Sequence, residues 1–365
     1  CAIDRKRNND FTPKLVVAGC LSKRYARELR EEMPEIDFLY GIIDENFLTS
    51  MCCAFGIRMK KTRFRQEPLI GSPAYAYIKI SEGCSNNCSY CAIPLIRGKA
   101  QPYPPKKILN DAHEALSRGV KELIVVAQDV AAYRYEKTTL PALLKKICKN
   151  TDVPWIRLMY CHPDHVSDEL IDCMASEKRI CRYLDLPFQH ASPKVLRSMG
   201  RKGTAETYMA LVEKLRSAIP GIHIRSTFMV GYPGETDEDF RMLIEFIKSA
   251  RLERVGCFMY SPEEGTRANK MKDDVLRRVK RARYNRLLTV QKRISSEAMR
   301  GMIGEKVAVI VEERSGKNRW IGRSEYDAPE VDGIFFLTSK SAELHSIVEA
   351  EVTGAAEYDL FGVSK

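Results

Sequence analysis

Three cysteines, Cys84, Cys88 and Cys91, lie within eight residues of the sequence. Thiolates this close together on one loop serve one centre, because soft sulfur ligands hold zinc or an iron–sulfur cluster. A structural zinc site or an ordinary ferredoxin cluster takes four protein ligands. A cluster held by three thiolates leaves one iron open to a substrate or cofactor. The spacing favours such an open cluster, and a zinc site completed by a distant Cys or His is the alternative.

The composition is typical of an ordinary soluble protein, with 44% hydrophobic and 29% charged residues among 365. No apolar run approaches the roughly 20 residues that span a bilayer, so we expect a cytoplasmic protein that does not bind membranes. The formal net charge of +11 favours an anionic partner such as RNA or a ribonucleoprotein. Twelve cysteines, three of them clustered, indicate a reducing compartment and a metal centre rather than disulfides.

Strand and helix patterns divide the chain into three parts joined by one linker. Residues 1–58 contain a strand and a helix capped by Ser22, which predicts an α/β, Rossmann-like layer. After a linker at 59–73, residues 74–300 alternate strands and helices, which predicts a partial (β/α)6 barrel. Residues 301–365 predict a small five-stranded β-barrel. The predicted strands of the central part are 75–81, 122–127, 155–161, 183–187, 223–230 and 254–260.

Charge is distributed unevenly over the last hundred residues. A helix pattern over 275–300 carries nine Lys or Arg and one acid, Glu297. It is either a solvated connector or a surface for RNA phosphates or an acidic protein. The predicted β-barrel is instead acidic, which weakens a role in RNA binding and favours a basic protein target. Its acidic residues include Glu325, Asp327, Glu330, Asp332, Glu343, Glu349, Glu351, Glu357 and Asp359.

The cysteine loop, residues 84–91 with Tyr90 before the third cysteine, resembles the radical S-adenosylmethionine (SAM) signature. The resemblance implies that Cys84, Cys88 and Cys91 hold a 4Fe-4S cluster whose open iron binds SAM, which yields a 5′-deoxyadenosyl radical. The carboxyl ends of the strands, where parallel barrels place their chemistry, then supply the SAM contacts. The cofactor-binding candidates are Tyr90, Gln128, Asp129, Gln189, Arg225 and Gly231.

Over essentially its whole length the chain is similar to the methylthiotransferases of the radical SAM superfamily. These combine an N-terminal methylthiotransferase domain, a radical SAM domain and a C-terminal TRAM barrel. The resemblance rests on the cysteine loop and on VAQD at 126–129, YLDLPFQH at 183–190, FMVGYPGET at 228–236 and YSPEEGT at 260–266. DAPEVDG at 327–333 and GAAEYDLFG at 354–362 point to the branch that modifies the β-carbon of an aspartate in a small-subunit ribosomal protein.

The resemblance also implies a second 4Fe-4S cluster on three N-terminal cysteines, two SAM molecules per product, and an electron donor such as flavodoxin or ferredoxin. Cys20 matches the third of these cysteines and Cys1 the second, whereas the first has no counterpart. We therefore expect an incomplete N-terminal domain. Two other functions stay open: a tRNA adenosine methylthiotransferase, and a non-catalytic RNA- or ribosome-binding protein with structural zinc.

Overall fold

The structure, a computed structural model, describes residues 14–44, 46–58 and 69–364. It forms two compact units, and the N-terminal unit takes in two short pieces of the central part, Gly83–Ser85 and Ala92–Lys99. The predicted central and C-terminal parts belong together to the second unit. Among the described residues no helix is long and apolar enough to cross a membrane. Nine of the eleven described cysteines, all except Cys84 and Cys91, have free thiols.

The N-terminal unit contains the predicted α/β layer. Two parallel strands pair in register from Val16 opposite Phe38 to Ala18 opposite Tyr40. Its elements in order are β1 (Val16–Ala18), α1 (Cys20–Arg24), α2 (Ala26–Glu32), β2 (Phe38–Tyr40) and α3 (Phe47–Ala54).

The prediction that Ser22 caps one continuous helix is wrong. Helix α1 begins at Cys20, directly after Gly19, whose φ of 125° turns the chain at the end of β1. Ser22 therefore lies inside the helix, where its hydroxyl donates to the carbonyl oxygens of Gly19 and Tyr40. The helix also breaks at Tyr25, where φ is −118° and outside the helical range.

The second unit is built on a seven-stranded sheet. The elements in order are β3 (Leu69–Ser72), β4 (Tyr75–Lys79), β5 (Ser81–Glu82), α4 (Ile93–Arg97), β6 (Gln101–Pro102), α5 (Pro105–Ser117), β7 (Glu122–Val126), β8 (Arg134–Tyr135), β9 (Thr138–Thr139), α6 (Leu140–Asn150), β10 (Trp155–Leu158), α7 (Asp168–Ser176), β11 (Ile180–Asp185), α8 (Pro193–Ser198), α9 (Ala205–Ala218), β12 (His223–Val230), α10 (Asp237–Ala250), β13 (Arg254–Met259) and α11 (Arg277–Gly301). The sheet is ordered β13-β12-β11-β10-β7-β4-β3. Six strands are parallel, and only the edge strand β3 runs antiparallel to β4.

These elements confirm the predicted partial barrel of six parallel strands. Several boundaries need correction. The strand predicted at 183–187 lies at Ile180–Asp185, because its pairing with β10 begins at Ile180. The strands predicted at 75–81, 122–127 and 254–260 end one or two residues earlier. Residues 69–72, predicted as part of the linker, form β3, because their backbone pairs with β4. The strand predicted over 155–161 ends at Leu158, because Tyr160 has a φ of 59° that no strand can hold.

The C-terminal part is the predicted closed barrel, ordered β14-β15-β16-β18-β17. Its strands are β14 (Lys306–Gly316), β15 (Arg319–Ser324), β16 (Phe335–Thr338), β17 (Ile347–Ala355) and β18 (Leu360–Val363).

The two faces of the central sheet have different partners. Ile156 and Leu158 of β10 point into the large core that the sheet shares with its helices. Trp155 and Met159 alternate with them, as pleating requires, and pack on the other face with Ile310 and Ala328 of the C-terminal part. The C-terminal barrel therefore covers the face that a complete parallel barrel would fill with its own side chains.

Ion pairs reinforce this interface. Glu122, the first residue of β7, receives hydrogen bonds of 2.6 Å from both Arg157 and Arg323. Asp327 pairs with Arg254 at 2.5 Å, and both side chains are 4% exposed. Two acidic residues close to Asp327 in the sequence also contact the central sheet. Glu325 accepts from Arg182, and Glu330 accepts from the Tyr75 hydroxyl.

This placement changes the interpretation of the barrel's acidity. Four of its nine named acidic residues, Glu325, Asp327, Glu330 and Asp332, face the central sheet. Three of them neutralise arginines of this chain and Glu330 accepts from the Tyr75 hydroxyl, so these four are not available to a basic target.

Helix α11 is the predicted basic helix, found at Arg277–Gly301. Two of its cations are buried and used internally. Lys280 binds Asp273 at 2.7 Å, and Arg283 binds Glu235 at 2.9 Å and Asp237 at 2.7 Å. The remaining basic residues of the helix are exposed. The helix is therefore both a packed element of the fold and a basic surface.

Candidate functional site

The cysteine loop begins where the first parallel strand ends, in a backbone approach that only glycine allows. Gly83 has a φ of 72°, and a Cβ atom there would overlap the carbonyl oxygens of Arg97, Gly98 and Lys99. The next residue, Cys84, donates its backbone N–H to the Gly98 carbonyl at 3.1 Å. The sequence between the third cysteine and residue 99 therefore folds back on the start of the loop.

The second half of the loop is held by side chains and backbone from distant parts of the chain. The Ser89 hydroxyl is 2.8 Å from that of Tyr232, and the Ser89 N–H donates to the Met199 carbonyl. Tyr90 accepts a hydrogen bond of 3.2 Å from the buried Arg201, and burial raises the pKa of Tyr90. The loop is therefore anchored on both sides of Tyr90.

Cys84, Cys88 and Cys91 are all half-buried on this loop. The Cys91 N–H donates to the Cys88 carbonyl at 3.2 Å, so the last two cysteines flank a tight turn. Over residues 14–44, 46–58 and 69–364, no three His, Cys, Asp or Glu side chains are grouped as a metal site. The fit to a 4Fe-4S cluster thus rests on the donor set, three sulfurs on one anchored loop.

Asp129, predicted to contact SAM, is saturated by donors of its own chain. Its carboxylate accepts a hydrogen bond of 2.7 Å from the side chain of Asn86 in the cysteine loop, and it lies 2.7 Å from the imidazole of His165. The backbone N–H of His162 also donates to it, at 3.2 Å. Burial acts to raise the pKa of Asp129, but the hydrogen bonds from His165 and Asn86 outweigh it and hold that pKa below its ordinary value. Its visible role is to anchor the loop.

Gln128 is a SAM-contact candidate with a hydrogen-bond acceptor that the described part of the chain does not use. Its side-chain oxygen is buried and has no hydrogen-bond partner in the described part of the chain. A buried acceptor of this kind is costly unless something donates to it. Because it sits at the end of β7, directly before the residue that anchors the cysteine loop, it fits a cofactor donor such as the ammonium group of SAM.

The three candidates on β12 and in the segments after β11 and β12 have structural partners. Gln189 has a φ of 71°, and its backbone pairs with Thr227 and Met229, both at 2.8 Å. Gly231 has a φ of 71°, and a Cβ atom there would overlap the Lys280 side chain, so backbone angle and packing together explain the glycine. Arg225 donates to Asp185 at 3.1 Å and lies 3.4 Å from Asp332. Its charge is therefore already compensated by two carboxylates.

Two N-terminal cysteines, Cys20 and Cys1, are the candidate ligands of the second cluster. Cys20 starts α1, and its sulfur accepts a hydrogen bond of 3.0 Å from Arg97, in the helix that follows the third cysteine. Cys1 lies outside the described residues.

Sequence reasoning missed the group of polar residues after β10. Tyr160 has a positive φ of 59° and is 46% exposed, and the rings of His162 and His165 lie 4.9 Å apart. The histidine pair was detectable as HPDH directly after a strand. The predicted strand ends at residue 161, directly before this motif, so only the contact of 2.7 Å between His165 and Asp129 needed the structure.

Comparison with known families agrees with this arrangement. Residues 78–247 match the radical SAM superfamily, and residues 303–364 match the TRAM domain. A parallel (β/α)6 sheet with a three-cysteine loop after its first strand, followed by a small barrel, therefore defines a radical SAM enzyme with a TRAM domain.

Similar proteins narrow the class. The chain is 42% identical to the ribosomal protein uS12 methylthiotransferase RimO of Desulforudis audaxviator, over 98% of this chain and 82% of the relative. It is 40% identical to the protein of that name from Geotalea uraniireducens, over 95% and 81%. The chain belongs to the RimO family of radical SAM methylthiotransferases, which confirms the predicted enzyme class.

Solved structures support the fold alone. The radical SAM methyltransferase TsrM from Kitasatospora setae has a TM-score of 0.55 at 16% identity, over 70% of this chain and 57% of TsrM. The cobalamin-dependent radical enzyme OxsB has a TM-score of 0.55 at 10% identity, over 80% of this chain and 45% of OxsB. The chain thus spans only about half the length of these two proteins.

Proposed function

We propose that this chain transfers a methylthio group to the β-carbon of an aspartate in ribosomal protein uS12. The observation that carries the proposal is the similarity to proteins named for that reaction, at 40 to 42% identity over at least 95% of the chain. The similarity includes the C-terminal barrel, where the sequence motifs of this branch lie. We place the enzyme in the cytoplasm, where its ribosomal substrate is made.

A member of the radical SAM superfamily takes a 4Fe-4S cluster and SAM. Bound together, they supply a radical that removes a hydrogen atom from an unactivated carbon. Cys84, Cys88 and Cys91 would hold the cluster, and the free oxygen of Gln128 would accept a hydrogen bond from SAM. Asp129 and Arg201 hold the loop that carries these cysteines, through hydrogen bonds with Asn86 and Tyr90. The chain's own task is positioning and the exclusion of water.

We further propose a second 4Fe-4S cluster with Cys20 among its ligands and a small electron-transfer protein, a flavodoxin or ferredoxin, as the donor. The hydrogen bond from Arg97 to the Cys20 sulfur supports the assignment, because such bonds to ligating sulfurs tune iron–sulfur centres. Replacing Cys84, Cys88 and Cys91 together with Ala should then halve the iron and acid-labile sulfide of the reconstituted protein. Complete loss of iron in that variant would leave only one cluster, and zinc without sulfide in the wild type would refute the enzyme itself.

The substrate is tested by anaerobic reconstitution, followed by SAM, a reductant and either ribosomes or bulk tRNA. Mass spectrometry should find the methylthio group on an aspartate of uS12. The same group on a tRNA adenosine would place the chain in the tRNA-modifying branch and refute the proposed substrate. A variant with Cys88→Ala alone is the control, since it should cleave no SAM.

A further inference from the structure

The C-terminal barrel contacts the central sheet through Asp332. An ion pair and hydrogen bonds lead from this residue to the end of the sheet that carries the cysteine loop. Asp332 is 2% exposed, and one of its oxygens lies 3.4 Å from the Arg225 Nε. Its other oxygen accepts from the Tyr183 hydroxyl at 2.7 Å and from the Ala328 N–H at 3.0 Å. Asp332 is therefore held by both the barrel and the central sheet.

Arg225, on β12, also contacts the neighbouring strand β11. Its Nη1 donates to Asp185 at 3.1 Å, and the Asp185 side chain is 1% exposed. The second carboxylate oxygen of Asp185 accepts a hydrogen bond of 3.0 Å from the backbone N–H of Tyr160. The backbone carbonyl of Asp185 accepts one of 2.9 Å from the N–H of Cys161. The last residue of β11 thereby holds the chain just beyond the end of β10.

The segment held in this way is strained and leads to the cysteine loop. Tyr160 keeps a φ of 59°, a conformation that a bulky residue holds only where its surroundings fix it. Two residues further on, the His162 N–H donates to Asp129 at 3.2 Å, and Asp129 receives Asn86 of the cysteine loop at 2.7 Å. Hydrogen bonds and ion pairs of 2.7–3.4 Å thus connect the barrel to the loop.

We propose that Asp332 of the C-terminal barrel is a positioning residue for the cysteine loop and acts through Arg225, Asp185 and Asp129. The barrel then has a task inside the catalytic unit in addition to any contact with the target. If Asp332 loses its charge, Arg225 is free to turn and Asp185 loses a fixed partner. The strained Tyr160 segment can then relax, and Asp129 and Asn86 move with it.

The first test needs neither cluster nor substrate. Hydrogen exchange of the full chain should show faster exchange, by about tenfold, in residues 86–91 and 159–165 of Asp332→Asn. The control is Glu349→Gln, an acidic residue of the same barrel that is 70% exposed and pairs with Lys306 at 3.2 Å. Its exchange pattern should match that of the wild type. Unchanged exchange in both segments of Asp332→Asn would overturn the proposal.

Two variants separate positioning from simple docking of the barrel. Tyr183→Phe removes another bond between the sheet and Asp332 but leaves the Arg225 pair in place. It should leave residues 86–91 as they are, whereas equal acceleration there would mean that docking alone matters. Asp185→Asn breaks the path without altering the barrel and remains informative if Asp332→Asn does not fold. Its effect on the loop should not add to that of Asp332→Asn, because both act on one path, and full additivity would refute the path.

The activity measurement rests on the proposed function. In the reconstituted enzyme, Asp332→Asn should lower methylthio transfer by about tenfold and release more 5′-deoxyadenosine per product, because a displaced loop aims the radical poorly. The KM for the ribosomal substrate should not change, while Glu349→Gln should behave as the wild type. A higher KM with normal coupling would make Asp332 a substrate-docking residue instead. If the wild type modifies no ribosomal protein, the proposed function fails while the exchange results still decide the positioning role.

Discussion

Replacing Arg323 with Met should test what holds the C-terminal barrel to the central sheet. Arg323 is 2% exposed and donates to Glu122 at 2.6 Å, to Glu312 at 2.8 Å and to the Asp327 carbonyl at 2.8 Å. Burial acts to raise the pKa of Glu122, but Arg157 and Arg323 outweigh it and keep that pKa below its ordinary value. Methionine fills much of the same volume and leaves Glu122 with one cation instead of two.

The cost follows from the carboxylate left behind. Breaking a buried ion pair by removing one partner costs about 3–5 kcal/mol, because the remaining charge loses its compensation in a dry environment. Since Arg157 still binds Glu122 at 2.6 Å, we expect the lower end, a fall of about 3 kcal/mol in the free energy of unfolding. The exposed pair of Lys306 and Glu349 is the comparison, and Glu349→Gln should cost less than about 1 kcal/mol.

Urea unfolding can follow both sides of the interface. The chain has two tryptophans, and Trp155 lies in the central sheet against the barrel while Trp320 lies in the barrel itself. Single-tryptophan variants would show whether the two parts unfold together, as the buried pairs require. An Arg323→Met variant that loses no more stability than Glu349→Gln would refute the argument that these pairs hold the interface.

Three further predictions concern separate features of the chain. Gly83→Ala should reduce iron incorporation after reconstitution, because a Cβ atom would overlap the Lys99 carbonyl at a φ of 72°. Burial lowers the pKa of His223 to about 3, so only the unfolded chain takes up this proton as the pH falls below 6.5. Stability should therefore drop by about 1.3 kcal/mol from pH 7 to pH 5.5, and His223→Asn should remove that part of the change in Tm. Thr236→Ala removes the capping box with Asp239 and should cost about 1 kcal/mol in urea unfolding, whereas Thr236→Ser should retain most of it.

The elements that sequence predicted well are those set by local pattern. The strand predicted at 223–230 is found at His223–Val230, because its burial alternates in the period that pleating imposes. Thr236 caps α10 through an equally local pattern, a threonine followed by three acidic residues, which satisfies the free N–H groups at the start of a helix. Ser22 failed as a cap because the turn at Gly19 started the helix earlier, which depends on a backbone angle that composition does not reveal.

The candidate site was predictable where covalent spacing alone brings groups together. Three cysteines within eight residues share a loop in any fold. By contrast, Asp129 lies 43 residues from Asn86 and was assigned to the cofactor rather than to the loop it anchors. After β10, the positive φ of Tyr160 is held by Asp185 from another strand, and His165 lies against Asp129, so neither feature could be predicted from HPDH alone. Contacts of this kind appear only when the strands are side by side.

The acidic barrel shows why charge counted along a sequence does not establish a partner. A carboxylate can attract a basic target only if solvent reaches it and no cation of the same chain compensates it. Of the nine acidic residues, four face the central sheet, and Glu349 and Glu357 pair with surface lysines. Asp359 accepts the Ile334 N–H, so of the nine only Glu343 and Glu351 have side chains for which the described chain provides no partner. Four of the nine acidic residues that suggested a protein target therefore join two parts of one unit instead.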